Sequence, residues 1–113
     1  MSKNEEMLQK AIVKYWDYKD PKFSKNLFHV NNNAGGRETI QKAAKLKSLG
    51  VRSGVSDLIL IWDKVYFIEL KTPIGKQSGE QKSFQSAVVN KLHNYLIIRS
   101  LDEFIRFEAK IND

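Results

Sequence analysis

Two acidic residues and a lysine stand at the ends of two neighbouring apolar segments. Asp57 comes at the start of the first segment, and Glu69 and Lys71 close the second in an acid-x-lysine arrangement. If the segments are paired strands, the carboxylates lie side by side and repel each other, and a divalent cation such as Mg²⁺ removes that repulsion. The backbone carbonyl of Leu70 is a further candidate metal ligand. Since a lysine beside such a site can orient water or stabilise a developing anion, the pattern indicates metal-assisted hydrolysis.

The length of the loop between the two strands decides whether this site forms. Side chains alternate across a strand, so Asp57 shares a face with Ile59, and Glu69 shares one with Phe67. A three-residue loop, 62–64, pairs position 57 with 69 and places the two Cβ atoms about 4.5–5.5 Å apart. A two-residue loop pairs 58 with 69 and turns Asp57 to the opposite face. We predict the three-residue register, or a bulge that restores it.

The first predicted helix offers another candidate metal ligand, Glu5. Its position places it on the side that carries Leu8 and Ile12, which faces the interior, where a carboxylate needs a partner. The competing account is a capping box, in which Ser2 and Glu5 each satisfy a backbone N–H of the other. Sequence alone leaves both accounts open.

Gln81 also has two interpretations. Ser78 and Gln81 fit a capping box that opens a helix. The same position, just after a bend at Pro73, also lets Gln81 and the free N–H groups of the helix start point at a phosphate. Gln81 is therefore a candidate site residue as well as a candidate cap.

Length, charge and composition restrict the class of protein. We expect one domain, residues 1–113, and the net charge of +6 favours a polyanionic partner. No apolar run approaches the roughly 20 residues of a membrane span. The N-terminal residues also lack the apolar segment that a secretory signal contains. Without cysteine there are no disulfides or thiolate metal sites, so we expect a cytoplasmic protein without a membrane partner. Gly75-Lys76 lacks the rest of a P-loop, which excludes that kind of nucleotide site.

Basic residues are densest around the second predicted helix. Such a segment is either a solvated helix face or a phosphate-binding surface, and the net charge favours phosphate contact. Two lysines near the start of the third predicted helix extend this surface towards the acidic pair. The candidate DNA contacts are Arg37, Lys42, Lys45, Arg52, Lys76 and Lys82.

Apolar periodicity and turn residues predict the elements that position these side chains. Helices are predicted over residues 4–18, 38–49 with Gly50 as its cap, 78–92, and a short segment after Ser100. Strands are predicted over residues 27–31, 56–61, 65–71 and 95–99. The order α-β-α-β-β-α-β-α predicts an α/β protein with a mixed four-stranded sheet flanked by helices.

Three segments taken together resemble the VRR-NUC family of the PD-(D/E)xK nuclease superfamily. They are residues 50–58, residues 67–75 and the sequence Ser78-x-x-Gln81-Lys82, and the resemblance extends over nearly the whole chain. Two positions depart from the family pattern: Ser56 replaces the usual proline before the aspartate, and Asn94 replaces a frequent glycine before the last strand. Proline at this position would only make the entry to the strand more rigid, so we expect the serine to be compatible with activity.

The resemblance implies a restriction-endonuclease-like core and DNA phosphodiester hydrolysis with Mg²⁺ or Mn²⁺. It implies that Glu5, Asp57 and Glu69 ligate the metal, that Lys71 is catalytic and that Gln81 supports the site. Family members of this length resemble phage and bacterial homodimers that cut branched DNA such as Holliday junctions. Two alternatives stay open: a nucleic-acid-binding module without activity, and a nuclease of duplex DNA without branch preference.

Overall fold

The strands form a mixed four-stranded sheet in the order β1-β2-β3-β4, in a computed structural model that describes residues 1–30, 39–89, 91 and 94–113. The strands are β1 (Leu27–His29), β2 (Leu58–Ile61), β3 (Val65–Leu70) and β4 (Asn94–Ile98). β1, β2 and β3 are antiparallel neighbours, whereas β4 is parallel to β3. The helices are α1 (Lys3–Lys19), α2 (Ile40–Ser48), α3 (Gly79–Val89) and α4 (Leu101–Ile111), with a 3₁₀ helix over Pro21–Asn26. The predicted fold class and element order are confirmed.

Several element boundaries differ from the prediction by a few residues. β2 begins at Leu58 rather than at 56, so Asp57 lies just before the strand, and β4 covers 94–98 rather than 95–99. α3 ends at Val89, short of the predicted 92. The predicted ends at residues 31 and 38 lie outside the described residues. None of the helices that the structure describes is long and apolar enough to cross a membrane.

α2 ends in a left-handed glycine, close to the predicted cap. Leu49 is the C-terminal cap residue itself, and Gly50 follows it with φ of 98°. The backbone N–H of Gly50 donates to the carbonyl of Lys47, and that of Val51 donates to the carbonyl of Leu46. This pair of bonds satisfies the last carbonyls of the helix and requires a residue that tolerates positive φ.

One face of the sheet forms the core of the protein. Leu58 and Leu60 on β2 and Ile68 and Leu70 on β3 point to this face and are fully buried. α1 and α4 cover it, and the side chains they contribute to the core are Ile12, Trp16 and Phe104. Strand alternation then sends Asp57 and Glu69 to the opposite face.

The β2–β3 hairpin adopts the predicted register. Ile59 pairs with Phe67 and Ile61 pairs with Val65, which leaves the three-residue loop 62–64. The backbone N–H of Trp62 closes the loop by donating to the carbonyl of Lys64 at 2.9 Å. The Trp62 ring also packs edge-on against Trp16 of α1, with ring centroids 5.3 Å apart. The hairpin loop and the end of α1 therefore share one end of the sheet, and Asp57 and Glu69 lie at the other.

Candidate active site

Asp57 and Glu69 come together on the face of the sheet opposite α1 and α4, where β2 begins and β3 ends. Continuation of the hairpin register beyond Leu58 and Ile68 brings positions 57 and 69 opposite each other. Asp57 is fixed by the backbone, because its Oδ2 accepts a hydrogen bond from the N–H of Leu70 at 2.8 Å. The two side chains are close enough for the charge of Asp57, and a hydrogen bond to it, to act on Glu69.

Glu69 is a buried carboxyl group with a strongly altered acidity. Only 2% of its surface is exposed. Burial, followed by the negative charge of Asp57 and the hydrogen bond to it, raises the pKa of Glu69 from 4.5 to about 8. The charge of Lys71 and a hydrogen bond from Tyr95 oppose this increase. At neutral pH and without a cation, the acidic pair therefore holds a proton, which removes part of the repulsion between the carboxylates.

Glu69 is oriented by two hydrogen-bond donors from α3 and β4. The Gln81 Nε2 donates to its Oε1 at 2.9 Å, and the Tyr95 hydroxyl donates to its Oε2 at 3.3 Å. Gln77 Nε2 in turn donates to the Tyr95 oxygen at 3.3 Å and to Gln85 Oε1 at 2.9 Å. Burial and the charge of Glu69 both raise the pKa of Tyr95, so its hydroxyl keeps its proton and remains a donor.

Gln81 forms the predicted capping box and also contacts Glu69, whereas its role towards a phosphate stays a prediction. The Ser78 N–H donates to Gln81 Oε1 at 2.8 Å, and the Gln81 N–H donates to Ser78 Oγ at 3.2 Å, which completes the capping box. Because the cap occupies the amide oxygen, the amide nitrogen is the end that faces Glu69. The helix cap thus also sets the direction of the Gln81 donor.

Gly54 brings the loop before Asp57 against the start of α3. It adopts φ of 81°, and a Cβ at this position would lie 2.3 Å from the carbonyl oxygen of Glu80 and 3.0 Å from the backbone nitrogen of Gln81. Both the backbone conformation and the close approach therefore require glycine. This contact joins the segment that carries Asp57 to the helical turn that carries Gln81.

The structure supports the capping account of Glu5. Its Oε1 accepts from the Ser2 N–H at 3.2 Å, and its own N–H donates to Ser2 Oγ at 3.1 Å. Within the described residues, no three His, Asp or Glu side chains are grouped closely enough to hold a metal ion. The expected cluster of Glu5, Asp57 and Glu69 is therefore not formed in this conformation, because the cap holds Glu5 at its own helix start. A metal-ligand role for Glu5, and for the Leu70 carbonyl, stays a prediction.

Lys71 lies next to the acidic pair. Its backbone N–H donates to the carbonyl of Ile98 at 3.1 Å, which continues the β3–β4 pairing for one residue beyond β3. The side chain is half-buried, and its charge offsets part of the increase in the pKa of Glu69. The structure thus brings Asp57, Glu69 and Lys71 together, as the hairpin register predicted.

The candidate DNA-contacting residues are on the surface. Arg52 is held towards α2, because its Nη1 donates to the carbonyl of Lys47 at 3.1 Å. Arg37 lies outside the described residues. The exposed members of the set are Lys42, Lys45, Arg52, Lys76 and Lys82.

Three neighbours of the site were not among the predicted site residues. Tyr95 contacts Glu69, and Arg99 donates to the carbonyl of Thr72, directly after Lys71. His29 has its Nδ1 2.7 Å from the carbonyl oxygen of Asp57. Tyr95 and Arg99 lie on or after a strand that pairs with β3 across a helix, so no local spacing in the sequence relates them to the acidic pair.

Comparison with known proteins agrees with the architecture. No protein-family model matches the chain, and no curated protein matches it. A solved structure similar to this chain is that of a VRR_NUC domain protein, with a TM-score of 0.79 and 18% sequence identity. The similarity covers 98% of this chain and 89% of that chain. The chain therefore has the fold of a VRR_NUC domain protein, a mixed α/β fold of the restriction-endonuclease-like kind.

Proposed function

We propose that this protein is a metal-dependent DNA endonuclease that hydrolyses phosphodiester bonds. The observation that carries the proposal is the buried Glu69 placed against Asp57, with Lys71 directly after the end of β3. Burying one carboxyl group beside another disfavours the charged form, so such a pair is better explained by chemistry than by stability. The likeness to a protein named for its VRR_NUC domain supports the same class of activity.

The donor set fits a hard divalent cation. Carboxylate oxygens, and a backbone carbonyl such as that of Leu70, are ligands that Mg²⁺ and Mn²⁺ prefer. The hydrogen bonds from Leu70, Gln81 and Tyr95 leave further lone pairs on the oxygens of Asp57 and Glu69. When bound there, the cation would take the place of the shared proton and polarise the phosphodiester.

The residues of the chain orient the groups that react. The Leu70 N–H holds Asp57, while Gln81 and Tyr95 hold Glu69, so that both carboxylates keep fixed directions. Lys71 places a positive charge where the phosphate gains negative charge in the transition state. In the net reaction the oxygen of water forms a bond to phosphorus, one P–O ester bond breaks, and the leaving oxygen takes up a proton.

The surface charge supports DNA as the substrate. The net charge of +6 and the exposed lysines on α2 and near the start of α3 suit a phosphate backbone. We further propose that the enzyme prefers branched DNA and works as a homodimer. The described part of one chain offers one proposed active site, at Asp57 and Glu69. Symmetric resolution of a junction takes two cuts, and a twofold dimer supplies two such sites.

The test compares a four-way DNA junction with a linear duplex of matching sequence. Each is incubated with Mg²⁺, Mn²⁺ or EDTA, with the wild type and with Asp57→Ala. We expect cleavage with either cation, none in EDTA, and at least a thousandfold slower cleavage by the variant, or about 4 kcal/mol in the barrier. Asp102→Ala, an exposed acidic residue in the first turn of α4, is the matched control and keeps wild-type cleavage.

Each other result selects a different function. Binding without cleavage under every condition would establish a nucleic-acid-binding module and overturn the enzyme. Equal cleavage of junction and duplex would establish a nuclease without branch preference. Cleavage that persists in Asp57→Ala would show that the acidic pair is not the active site. Analytical ultracentrifugation of the protein, alone and with the junction, tests the dimer.

A further inference from the structure

The chain makes a tightly fastened turn directly after Lys71. Arg99 Nη1 donates to the carbonyl of Thr72 at 2.6 Å and to that of Gly75 at 2.7 Å, with a longer contact to Pro73 at 3.4 Å. The turn also closes on itself, because the Gly75 N–H donates to the Thr72 carbonyl at 3.1 Å. Since proline has a fixed φ, few backbone angles of residues 72–75 are free to change.

The turn is also fixed relative to the active site. A Cβ at Gly75 would lie 2.9 Å from Thr72 Oγ1 and 3.6 Å from Lys71 Cδ. The backbone of the turn therefore folds back along the side chain of Lys71. Whatever the turn presents to solvent is held at a constant position beside the acidic pair.

The turn presents an isoleucine. Ile74 is 90% exposed. Single exposed apolar residues are common on protein surfaces and usually have no role. Here the side chain stands on a rigid turn three residues from the proposed catalytic lysine, and the exposed Lys76 follows it. The turn therefore presents a rigid apolar side chain next to positive charges. DNA has an anionic backbone outside and apolar stacked bases inside, so such a turn is suited to bind it.

We propose that Ile74 is an apolar wedge that enters the base stack of the bound DNA, and that Arg99 is the positioning residue that holds its turn. This inference rests on the proposed function and adds a determinant of substrate structure. Unstacking a regular duplex step is costly in free energy, whereas the stack at a branch is already interrupted. Insertion of Ile74 would therefore favour branched over linear DNA.

The experiment detects unstacking without cleavage. A fluorescent adenine analogue, whose emission rises when it loses its stacking neighbours, is placed beside the branch point of a four-way junction, and binding is measured in EDTA. The wild type is expected to raise the emission. Ile74→Ser is expected to lose at least half of this rise and to bind the junction about tenfold more weakly, with unchanged affinity for linear duplex. Ile74→Leu is expected to restore both.

Two further variants separate the wedge from general effects of the surface. Tyr18→Ser removes another exposed apolar side chain, 86% exposed, at the end of α1 near the hairpin loop, and is expected to behave as wild type. Arg99→Met is expected to lose the emission rise while it keeps Ile74. The double variant Ile74→Ser/Arg99→Met then shows no additional loss, because both changes remove the same contact.

The inference and the proposed function fail separately. If Ile74→Ser gives the full emission rise and wild-type junction affinity, Ile74 is not a wedge, even if cleavage depends on Asp57. If the wild type itself gives no rise, the bound DNA stays stacked and the inference is wrong. If emission responds as expected but no cation supports Asp57-dependent cleavage, the wedge stands and the nuclease does not.

Discussion

The two faces of the β2–β3 hairpin have opposite physical character. On one face Leu58 and Ile68 are fully buried among apolar side chains of α1 and α4. On the other face lie Asp57, the residue before Leu58, and Glu69, the residue after Ile68. These two side chains face each other. Glu69 is nearly as completely buried, with 2% of its surface exposed. A buried carboxyl group needs hydrogen-bond partners, and here Gln81 and Tyr95 donate to it.

The difference shows which face stabilises the fold and which face serves the chemistry. Apolar burial contributes roughly 25 cal/mol per Å² to stability, so each core side chain favours the folded state. A buried carboxyl group beside another carboxylate disfavours the folded state at neutral pH unless a proton or a cation joins it. Substitutions on the two faces should therefore change stability in opposite directions.

The largest expected effect on stability is on the apolar face. Ile68→Ala removes a fully buried side chain next to Glu69 in sequence and should lower the free energy of unfolding by about 3 kcal/mol. Ile61→Ala, at a position that is 47% exposed, is the matched control, with a loss below about 1 kcal/mol. Urea denaturation at fixed pH measures both. Equal losses would show that the core is not concentrated on the α1–α4 face.

Glu69→Gln should have the opposite sign and a dependence on pH. A pKa of about 8 means that folded Glu69 binds its proton more tightly than the unfolded chain does, whose pKa is near 4.5. The folded state therefore holds more protons between these values, and the free energy of unfolding of the wild type falls as pH rises from about 4.5 to about 8. The glutamine is isosteric and does not titrate, so its stability lacks this decrease.

The measurement compares the two proteins in EDTA across that range. Near pH 4.5 the difference in unfolding free energy should be small, and it should grow in favour of Glu69→Gln as the pH rises to 8. Groups outside the acidic pair titrate alike in both proteins and cancel in the difference. A difference that does not change with pH would mean that Glu69 is already ionised in the folded protein. Adding Mg²⁺ should stabilise the wild type and not the variant, because the cation then replaces the proton.

The sequence was sufficient for the parts of the site whose geometry is local. The hairpin register follows from alternation and the three-residue loop, so the approach of Asp57 and Glu69 was predictable. Capping boxes span four residues, so those at Ser2 and Ser78 were also predictable. For Glu5 the same local signal competed with a metal-ligand role, and only the structure shows that the cap is formed.

The contacts made through β4 were not predictable in the same way. Tyr95 reaches Glu69 across 26 residues of sequence, and Arg99 reaches Thr72 across 27. The parallel pairing of β3 with β4 has no short loop to set its register. It depends instead on how α3, which connects the two strands, packs against the sheet. Phe84 of α3 makes ring contacts with Phe67 and Tyr95 at centroid distances of 5.4 and 6.3 Å, and this packing follows from tertiary structure alone.

The smallest expected effect tests how the acidic face is joined to α3. It uses the two glycines that have positive φ in the described part of the chain. An alanine at Gly50, where nothing lies within 4 Å of the new Cβ, should cost only the backbone strain of about 1 kcal/mol. Gly54→Ala carries the same strain and also forces its Cβ against the Glu80 carbonyl, so it should cost about 1 kcal/mol more. The segment must move away from α3 to relieve that contact.

Gly54→Ala should therefore do more than lower stability. Displacement of the first turn of α3 weakens the hydrogen bond from Gln81 to Glu69, so cleavage should fall about tenfold further than in Gly50→Ala. Single-turnover cleavage rates, measured well below the melting temperature of each variant, separate this effect from unfolding. If the two variants cleave equally fast, Gln81 does not orient Glu69 during the reaction. The acidic pair would then owe its geometry to the hairpin alone, and the donors from α3 would serve only to satisfy a buried carboxyl group.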